Sequence, residues 1–256
     1  MHLGPDMKRA TKIRIARILV ISGFLLFFEL ITRAGYVRPT ILVPPSIMCL
    51  TLFRSISSGN LTPHFVRTLG EILLSFSMSS IIGIPIGILF WKFPRIWRMF
   101  EIYFVSSYAM PTIFFYPVLL VLFGLGTIPI LIIAIITSML PIILNTTTGF
   151  REIREVYPKV GHMFNCTTAQ MFFKVKFPAA APLIFAGLKM GFTYATTLCI
   201  AMEFLNAEKG LGFLVSYHYF TFDTDLLYAY ILLIIIIAVT VNLVILGIEK
   251  RVRMEL

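Results

Sequence analysis

Charged side chains are the scarcest class in this 256-residue sequence: Asp, Glu, Lys and Arg together make up 13% of it. Soluble domains carry about 25%, and a globule this poor in charge could not cover its surface with polar groups. Cysteine is scarce too. Cys49, Cys166 and Cys199 stand singly with no CxxC among them, which excludes a disulfide framework and a thiolate metal site. The four histidines, His2, His64, His162 and His218, are too scattered to form a zinc or catalytic set by sequence proximity. No GxSxG, HExxH, paired-acid or Walker-type phosphate motif occurs. The sequence therefore predicts no catalytic residues, no metal site and no nucleotide hydrolysis by this chain itself, whereas an enzyme needs convergent titratable groups.

Apolar residues fill the space left by charge. They make up 58% of the chain, and the mean hydropathy is +0.91. Those figures exclude disorder, which requires hydrophilic composition, and indicate an integral membrane protein. Crossing a bilayer takes about 20 largely apolar residues. By that ruler the chain is one all-α membrane domain, residues 1–256, with six transmembrane helices near 13–31, 65–90, 102–123, 128–150, 179–204 and 226–248. The first run has no small-residue cleavage site after it and is read as a span rather than a signal peptide.

The formal charge of +10 would suggest nucleic acid as the partner of a soluble protein. In a membrane protein it has a simpler reading as loop charge. One side of the membrane collects Lys8, Arg9, Lys12, Arg14 and Arg17, then Lys92, Arg95 and Arg98. It also collects Arg151, Arg154, Lys159, Lys174 and Lys176, then Lys250, Arg251 and Arg253. Those are 16 of the 22 basic residues; the other side holds Arg33, Arg38, Arg54, Arg67 and Lys209. The asymmetry predicts a multi-pass protein of the cell (inner) membrane with both termini in the cytoplasm, embedded in lipid and not bound to nucleic acid.

Two connecting segments stand out. Residues 35–64 hold Pro39, Pro44, Pro45, Gly59 and Pro63, which argue against a span but allow a short interfacial helix. Residues 151–178 form the long cytoplasmic connection, mixing five basic residues with a periodic apolar set. That mixture predicts amphipathic helical pieces at the membrane surface, with apolar groups that something must cover.

Within the spans, Glu71, Glu203 and Lys189 are the clearly embedded charges. An intramembrane charge is a functional candidate; Glu203 reads equally as a capping carboxylate at the end of span 5 or as part of a substrate path. Pro85, Pro111, Pro117, Pro129 and Pro141 are expected to bend or interrupt spans 2, 3 and 4. The small polar set in spans 3 to 5, including Thr112, Asn145, Thr193 and Thr197, suits either a gated pathway or a static bundle.

Residues 156–186, VYPKVGHMFNCTTAQMFFKVKFPAAAPLIFA, resemble the cytoplasmic loop of ABC importer permeases, whose pattern E-A-A-x3-G-x9-I-x-L-P precedes span 5. Anchoring on Pro178 puts Phe177 at the Leu position, Val175 at the Ile, Asn165 at the Gly, and Lys159, Val160 and Gly161 at Glu-Ala-Ala. The spacing is kept while the head of the motif departs. Asn is the residue after Gly that best tolerates a left-handed turn, so Asn165 is expected to keep the helix–turn–helix. Lys159 reverses a charge, which Glu155, one turn earlier, is placed to supply.

The similarity extends over about residues 15–253. Ile41-Leu42-Val43-Pro44-Pro45, Met110-Pro111, Phe123-Gly124, Gly149-Phe150-Arg151, Glu203 and Gly210-Leu211-Gly212 resemble the nitrate/sulfonate/taurine branch. The resemblance implies a permease subunit of an ATP-driven importer, with no cofactor of its own because ATP binds a separate ABC ATPase. A second permease copy, as a homodimer, and an extracytoplasmic substrate-binding protein are the other implied partners. It assigns ATPase coupling to Glu155, Lys159, Val160, Gly161, Met163, Phe164, Asn165, Ala169, Phe172, Val175, Phe177 and Pro178. Met110, Phe114, Asn145, Tyr194, Thr197 and Glu203 are the candidates for the substrate path. The expected cargo is a small polar or aromatic solute, nitrate-, sulfonate- or taurine-like or a pyrimidine-type precursor. The competing readings, a channel and a lipid-acting membrane enzyme, respectively have no need of the amphipathic loop and no residues for the chemistry.

Overall fold

A computed structural model describes residues 5–36, 38, 41–107 and 112–255. Every regular element among the described residues is helical. In order these are α1 (Pro5–Arg33), α2 (Pro45–Ser57), α3 (Thr62–Lys92), α4 (Pro94–Ser107), a 3-10 turn (Thr112–Phe115) and α5 (Tyr116–Phe123). Then come α6 (Thr127–Arg151), α7 (Val156–Met163), α8 (Thr168–Gln170), a π-helical turn (Met171–Lys176), α9 (Phe177–Asn206), α10 (Leu211–Phe220) and α11 (Thr224–Glu255).

Five helical stretches among the described residues are long and apolar enough to cross a membrane: Ile15–Arg33, Thr62–Lys92, Thr127–Arg151, Thr168–Leu205 and Thr224–Gly247. The span expected over 102–123 is not one of them. Its described residues fall into the end of α4, the 3-10 turn and α5, and the continuous apolar helix there is only Thr112–Phe123. Residues 108–111, with Pro111, lie outside the described residues, and Pro117 lies in the first turn of α5, where its missing N–H does no harm. Pro85 and Pro141, expected to bend or interrupt their spans, lie inside α3 and α6, which run through them. The connection at 35–64 contains the short helix α2, and the segment after span 5 contains α10. Span 5, expected from 179, begins eleven residues earlier at Thr168, continuous with the second arm of the preceding loop.

The chain groups into two compact units. The smaller takes in Met1–Leu61 and Val215–Leu233. There Glu29 pairs with Arg33 and accepts the Ser46 backbone N–H at 3.0 Å, fastening the end of α1 to the start of α2. The hydroxyls of Ser55 and Tyr230 are hydrogen-bonded at 2.8 Å, and the Tyr228 hydroxyl donates to the Ile41 carbonyl at 2.7 Å.

The larger unit, Thr62–Leu214 with Ile234–Leu256, is built around α6, half of which is buried. Ile130, Ile133, Ala134, Ile142 and Ile143 fill its core. Lipid supplies no hydrophobic drive for helix association, so close packing and hydrogen bonds must hold such a unit together. Both occur. A Cβ on Gly87 of α3 would meet Thr146 at 2.6 Å, and one on Gly191 of α9 would meet Ile142 at 2.7 Å, so each glycine lets its helix approach α6. Ser79 bonds Ser138 and donates to the Ile135 carbonyl, while Thr147 donates to the Gly87 carbonyl at 3.1 Å.

Candidate functional site

The larger unit carries two built features. The first is a hairpin between α6 and α9. Helix α6 ends at Arg151; after four intervening residues α7 begins, and beyond its end Asn165 takes φ of 50°, the left-handed conformation that stops a helix. The Asn165 and Cys166 N–H groups bond back to the carbonyls of His162 (3.0 Å) and Gly161 (3.1 Å), closing the turn. A capping box then starts the second arm. The Gln170 N–H donates to the Thr167 hydroxyl, and the Thr167 N–H donates to the Gln170 side chain at 2.9 Å.

The two arms touch where Gly161 meets Met171; a Cβ at 161 would come 2.7 Å from the Met171 methyl carbon. Between arms and span lies an apolar groove of about 740 Å³, lined by Val156, Tyr157, Val160, Phe164, Val175 and Pro178 among others. The crest is exposed and apolar: Met163 is 81% and Phe164 78% exposed. Ala169 on the second arm is exposed as well. Lys159 pairs with Glu155 across one turn, Nζ to carboxylate 2.9 Å, with both side chains in solvent. Such a pair contributes little to stability; its effect is to leave no single-sign charge on that face.

Sequence reasoning missed the base on which the hairpin stands. Phe172 of the second arm stacks on Phe150 at the end of α6, with centroids 5.7 Å apart and planes 6° from parallel. Trp91 at the end of α3 joins both rings, 4.8 Å from Phe150 and 6.4 Å from Phe172, and Phe177 closes the group at 6.2 Å from Phe172. The Lys176 ammonium lies 5.1 Å over the Trp91 ring and the Arg151 guanidinium 5.1 Å over Trp97. These rings tie the hairpin to α3, α6 and α9 together. Nothing in the linear spacing of Trp91 and Phe150 signals that they meet.

The second feature is a buried clamp around Glu203, which is fully enclosed. Its carboxylate accepts from the Thr68 hydroxyl (2.7 Å) and the Gly212 N–H (2.9 Å). The same Thr68 oxygen accepts the Leu211 N–H at 2.8 Å, and His64 Nδ1 accepts the Gly210 N–H at 3.1 Å. A Cβ on Gly210 would fall on the Glu203 carboxyl group, and one on Gly212 on the Ile200 carbonyl oxygen. Gly210 also has φ of 125°, which L-side chains rarely adopt. The clamp fastens the turn 207–212 onto α3, and of the two readings of Glu203 this geometry is that of the capping carboxylate.

The other path candidates are dispersed. Met110 lies outside the described residues. Phe114, 71% exposed, sits on the 3-10 turn, which Thr112 ties to Thr137 of α6 at 3.2 Å. Asn145 is brought to α9, its amide donating to the Pro141 carbonyl at 2.9 Å and lying 3.8 Å from the Met190 sulfur. Met190, Thr193 and Thr197 are exposed at helical spacing, with half-buried Tyr194 beside them, forming a polar-spotted stripe on α9. Among the described residues no group of three His, Cys, Asp or Glu side chains is placed to hold a metal ion.

Against this geometry the likenesses to known proteins are consistent. A family described as binding-protein-dependent transport system inner membrane component matches residues 46–254. The bicarbonate transport system permease protein CmpB of Synechocystis is 29% identical over 77% of this chain and 74% of its own. The riboflavin transport system permease protein RibX of Chloroflexus aurantiacus is 26% identical over 82% and 78%. The taurine transport system permease protein TauC of Escherichia coli is 24% identical over 84% and 80%. Among solved structures, a chain of the inward-facing MetNI methionine ABC transporter superposes with a TM-score of 0.64 at 17% identity, covering 75% of this chain and 95% of that one.

Proposed function

Because the chain belongs to the binding-protein-dependent transport system inner membrane component family, as an ABC importer permease of the nitrate/bicarbonate/taurine type, we propose that its hairpin is the docking element for an ABC ATPase. Members of this family are transport components rather than enzymes, multi-pass in the membrane, and they work with an ATPase and a substrate-binding protein. The observation that carries the proposal is the hairpin itself. An apolar crest of Met163 and Phe164 projects from a groove, while the opposite end is stacked into the ends of three long helices. A crest that apolar requires a protein cover, and a ring stack at its base carries a push on the crest into α3, α6 and α9.

On this reading ATP is bound by the partner and not by this chain. The side bearing 16 basic residues, with both termini, is cytoplasmic. The chain acts as one permease domain paired with a second copy, and the sixth crossing is the region 102–123, whose described part includes the apolar helix Thr112–Phe123. Exposed threonines are disfavoured against lipid tails, so the Thr193 and Thr197 stripe with Asn145 and Tyr194 faces the solute path between the copies. The cargo is a small polar or aromatic solute, within the range from taurine-like anions to pyrimidine-type precursors. Replacing Phe164 by Glu should abolish co-purification and stimulation of the cognate ATPase while leaving the permease in the membrane fraction. Unchanged ATPase binding by the Phe164→Glu and Met163→Glu variants would refute the docking assignment.

A further inference from the structure

Two of the candidate spans close on a cation: Thr62–Lys92 on Lys92 and Thr127–Arg151 on Arg151. Their ends meet through the Trp91 and Phe150 rings, 4.8 Å apart. Helix α4 begins two residues beyond Lys92 and adds Arg95 and Arg98; the second arm of the hairpin adds Lys176. Rings hold these cations in one place. The Lys176 ammonium lies over Trp91, the Arg151 guanidinium over Trp97, and the Lys92 ammonium 5.9 Å from the centre of the Phe93 ring. Phe90, beside Trp91 in sequence, packs against Trp97 at 5.5 Å. Five cations thus gather around two indoles where the apolar helices give way to polar surface.

None of the five is ion-paired among the described residues, whereas Arg33, Arg67 and Lys159 each have a carboxylate. Glu101 on α4 and Glu152 after α6 are the carboxylates nearest in sequence, two against five. A ring beneath a guanidinium covers one face of it; the five N–H donors lie in its plane and remain for an anionic acceptor. The neighbouring surface says what carries that anion. Ile96, Met99 and Tyr103 are exposed at i, i+3 and i+7 on α4, beside Arg95. A free anion would engage the cations and leave those side chains in water; a molecule with a charged head and apolar chains satisfies both. The depth points the same way, because indoles and basic residues at span ends sit at the level of lipid headgroups.

We propose that Lys92, Arg95, Arg98, Arg151 and Lys176 form a binding site for an anionic phospholipid, whose phosphate oxygens accept from the cations around Trp91 and Trp97 and whose acyl chains lie along the Ile96, Met99 and Tyr103 face of α4. The site does not depend on the transport reading: it requires only that the larger unit be folded in a bilayer. Trp91 is also part of the ring group under the hairpin, 6.4 Å from Phe172, so a headgroup held here lies against the base of that hairpin. Each Lys or Arg near such a headgroup layer favours anionic lipid by about fivefold.

The test uses the purified full chain in detergent, titrated with phosphatidylglycerol or phosphatidylcholine of the same acyl chains, with bound lipid counted by native mass spectrometry. The wild type should retain phosphatidylglycerol under conditions that strip phosphatidylcholine. Arg95→Gln combined with Arg98→Gln removes two exposed cations of the site and should weaken phosphatidylglycerol binding by about 25-fold. Arg54→Gln combined with Lys209→Gln removes the same charge from exposed positions on α2 and the turn 207–212, and should leave binding unchanged. Glycerol phosphate, the head without the chains, should compete only weakly. If the first pair does not fold, Lys92→Gln combined with Lys176→Gln takes its place. Equal retention of the two lipids, equal losses in the site and control pairs, or competition by glycerol phosphate as strong as by the lipid would overturn the proposal. So would a site variant that loses a partner protein while its lipid binding stays at the wild-type level.

Discussion

Replacing Thr68 by Val removes one hydroxyl and keeps the shape of the side chain, in a position 1% exposed. That hydroxyl both donates to Glu203 at 2.7 Å and accepts the Leu211 N–H at 2.8 Å, so the substitution breaks two links of the clamp at once. A hydrogen bond to a charged group contributes about 1.5–3 kcal/mol in soluble proteins. Between membrane helices the measured mean is lower, about 0.6 and at most about 1.7 kcal/mol. The stranded Leu211 N–H adds about 1–3 kcal/mol of unmet desolvation. Taking the membrane figure for the first and the lower half of the range for the second, the loss is about 2–4 kcal/mol. That is roughly 5–10 °C in the apparent unfolding midpoint for a chain of this size. Thr68→Ser keeps the hydroxyl and loses one buried methyl, about 0.8 kcal/mol. Thermal unfolding of the purified chain in detergent, followed by circular dichroism, compares the two. If Thr68→Val melts with Thr68→Ser, the clamp does not hold the turn as described.

Gly210→Ala should destabilise far more than Gly124→Ala: both glycines have positive φ, 125° and 74°, but only at 210 does the new Cβ strike the Glu203 carboxyl, whereas at 124 nothing lies within 4 Å. The same melting assay separates backbone strain, common to both, from crowding. His218, on α10, lies 3.5 Å from Asp223, and its burial pushes the imidazole below its ordinary pKa, with Asp223 pulling the other way. The unfolded chain therefore takes up a proton more readily than the native one, and stability declines as pH falls below about 6.5. His218→Gln should flatten that acid limb in a pH series of unfolding midpoints.

Much of the membrane architecture was legible because hydropathy is additive along a chain. The windows around 65–90, 128–150 and 226–248 each contain enough apolar residues to be found without knowing their neighbours. The stretch 102–123 is harder to read from that sum: its apolar content is counted alike whatever the backbone does, while its described residues fall into the end of α4, the 3-10 turn and α5, with 108–111 outside the described residues. At span 5 the helical stretch reaches further back than the expected 179: Lys174 and Lys176 lower the local hydropathy, yet the helix runs through them to Thr168, with the Lys176 ammonium 5.1 Å over the Trp91 ring. The turn at Asn165 was readable from one residue's tolerance for positive φ. The clamp was readable only in pieces. Glu203 and the Gly210-Leu211-Gly212 run each stood out, but Thr68, which bonds both and lies 135 residues before Glu203, looks like any other threonine.

The π-helical turn at Met171–Lys176 sets the angular phase of everything joined through it. One wide turn holds about one residue more than the α-helical ladder would, which displaces the downstream face by about 100° relative to the arm before it. The arm from Thr168 and the span to Leu205 are thus a single 38-residue shaft with a fixed twist built into it, about 57 Å from end to end. A shaft of that kind transmits torque as well as thrust. Turning the hairpin about the shaft's axis rotates the Met190, Thr193 and Thr197 face by the same angle, and a tilt of a few degrees at one end moves the other by several ångströms. Removing one residue from the wide turn would leave the apolar composition of the span intact while pointing that threonine face in another direction.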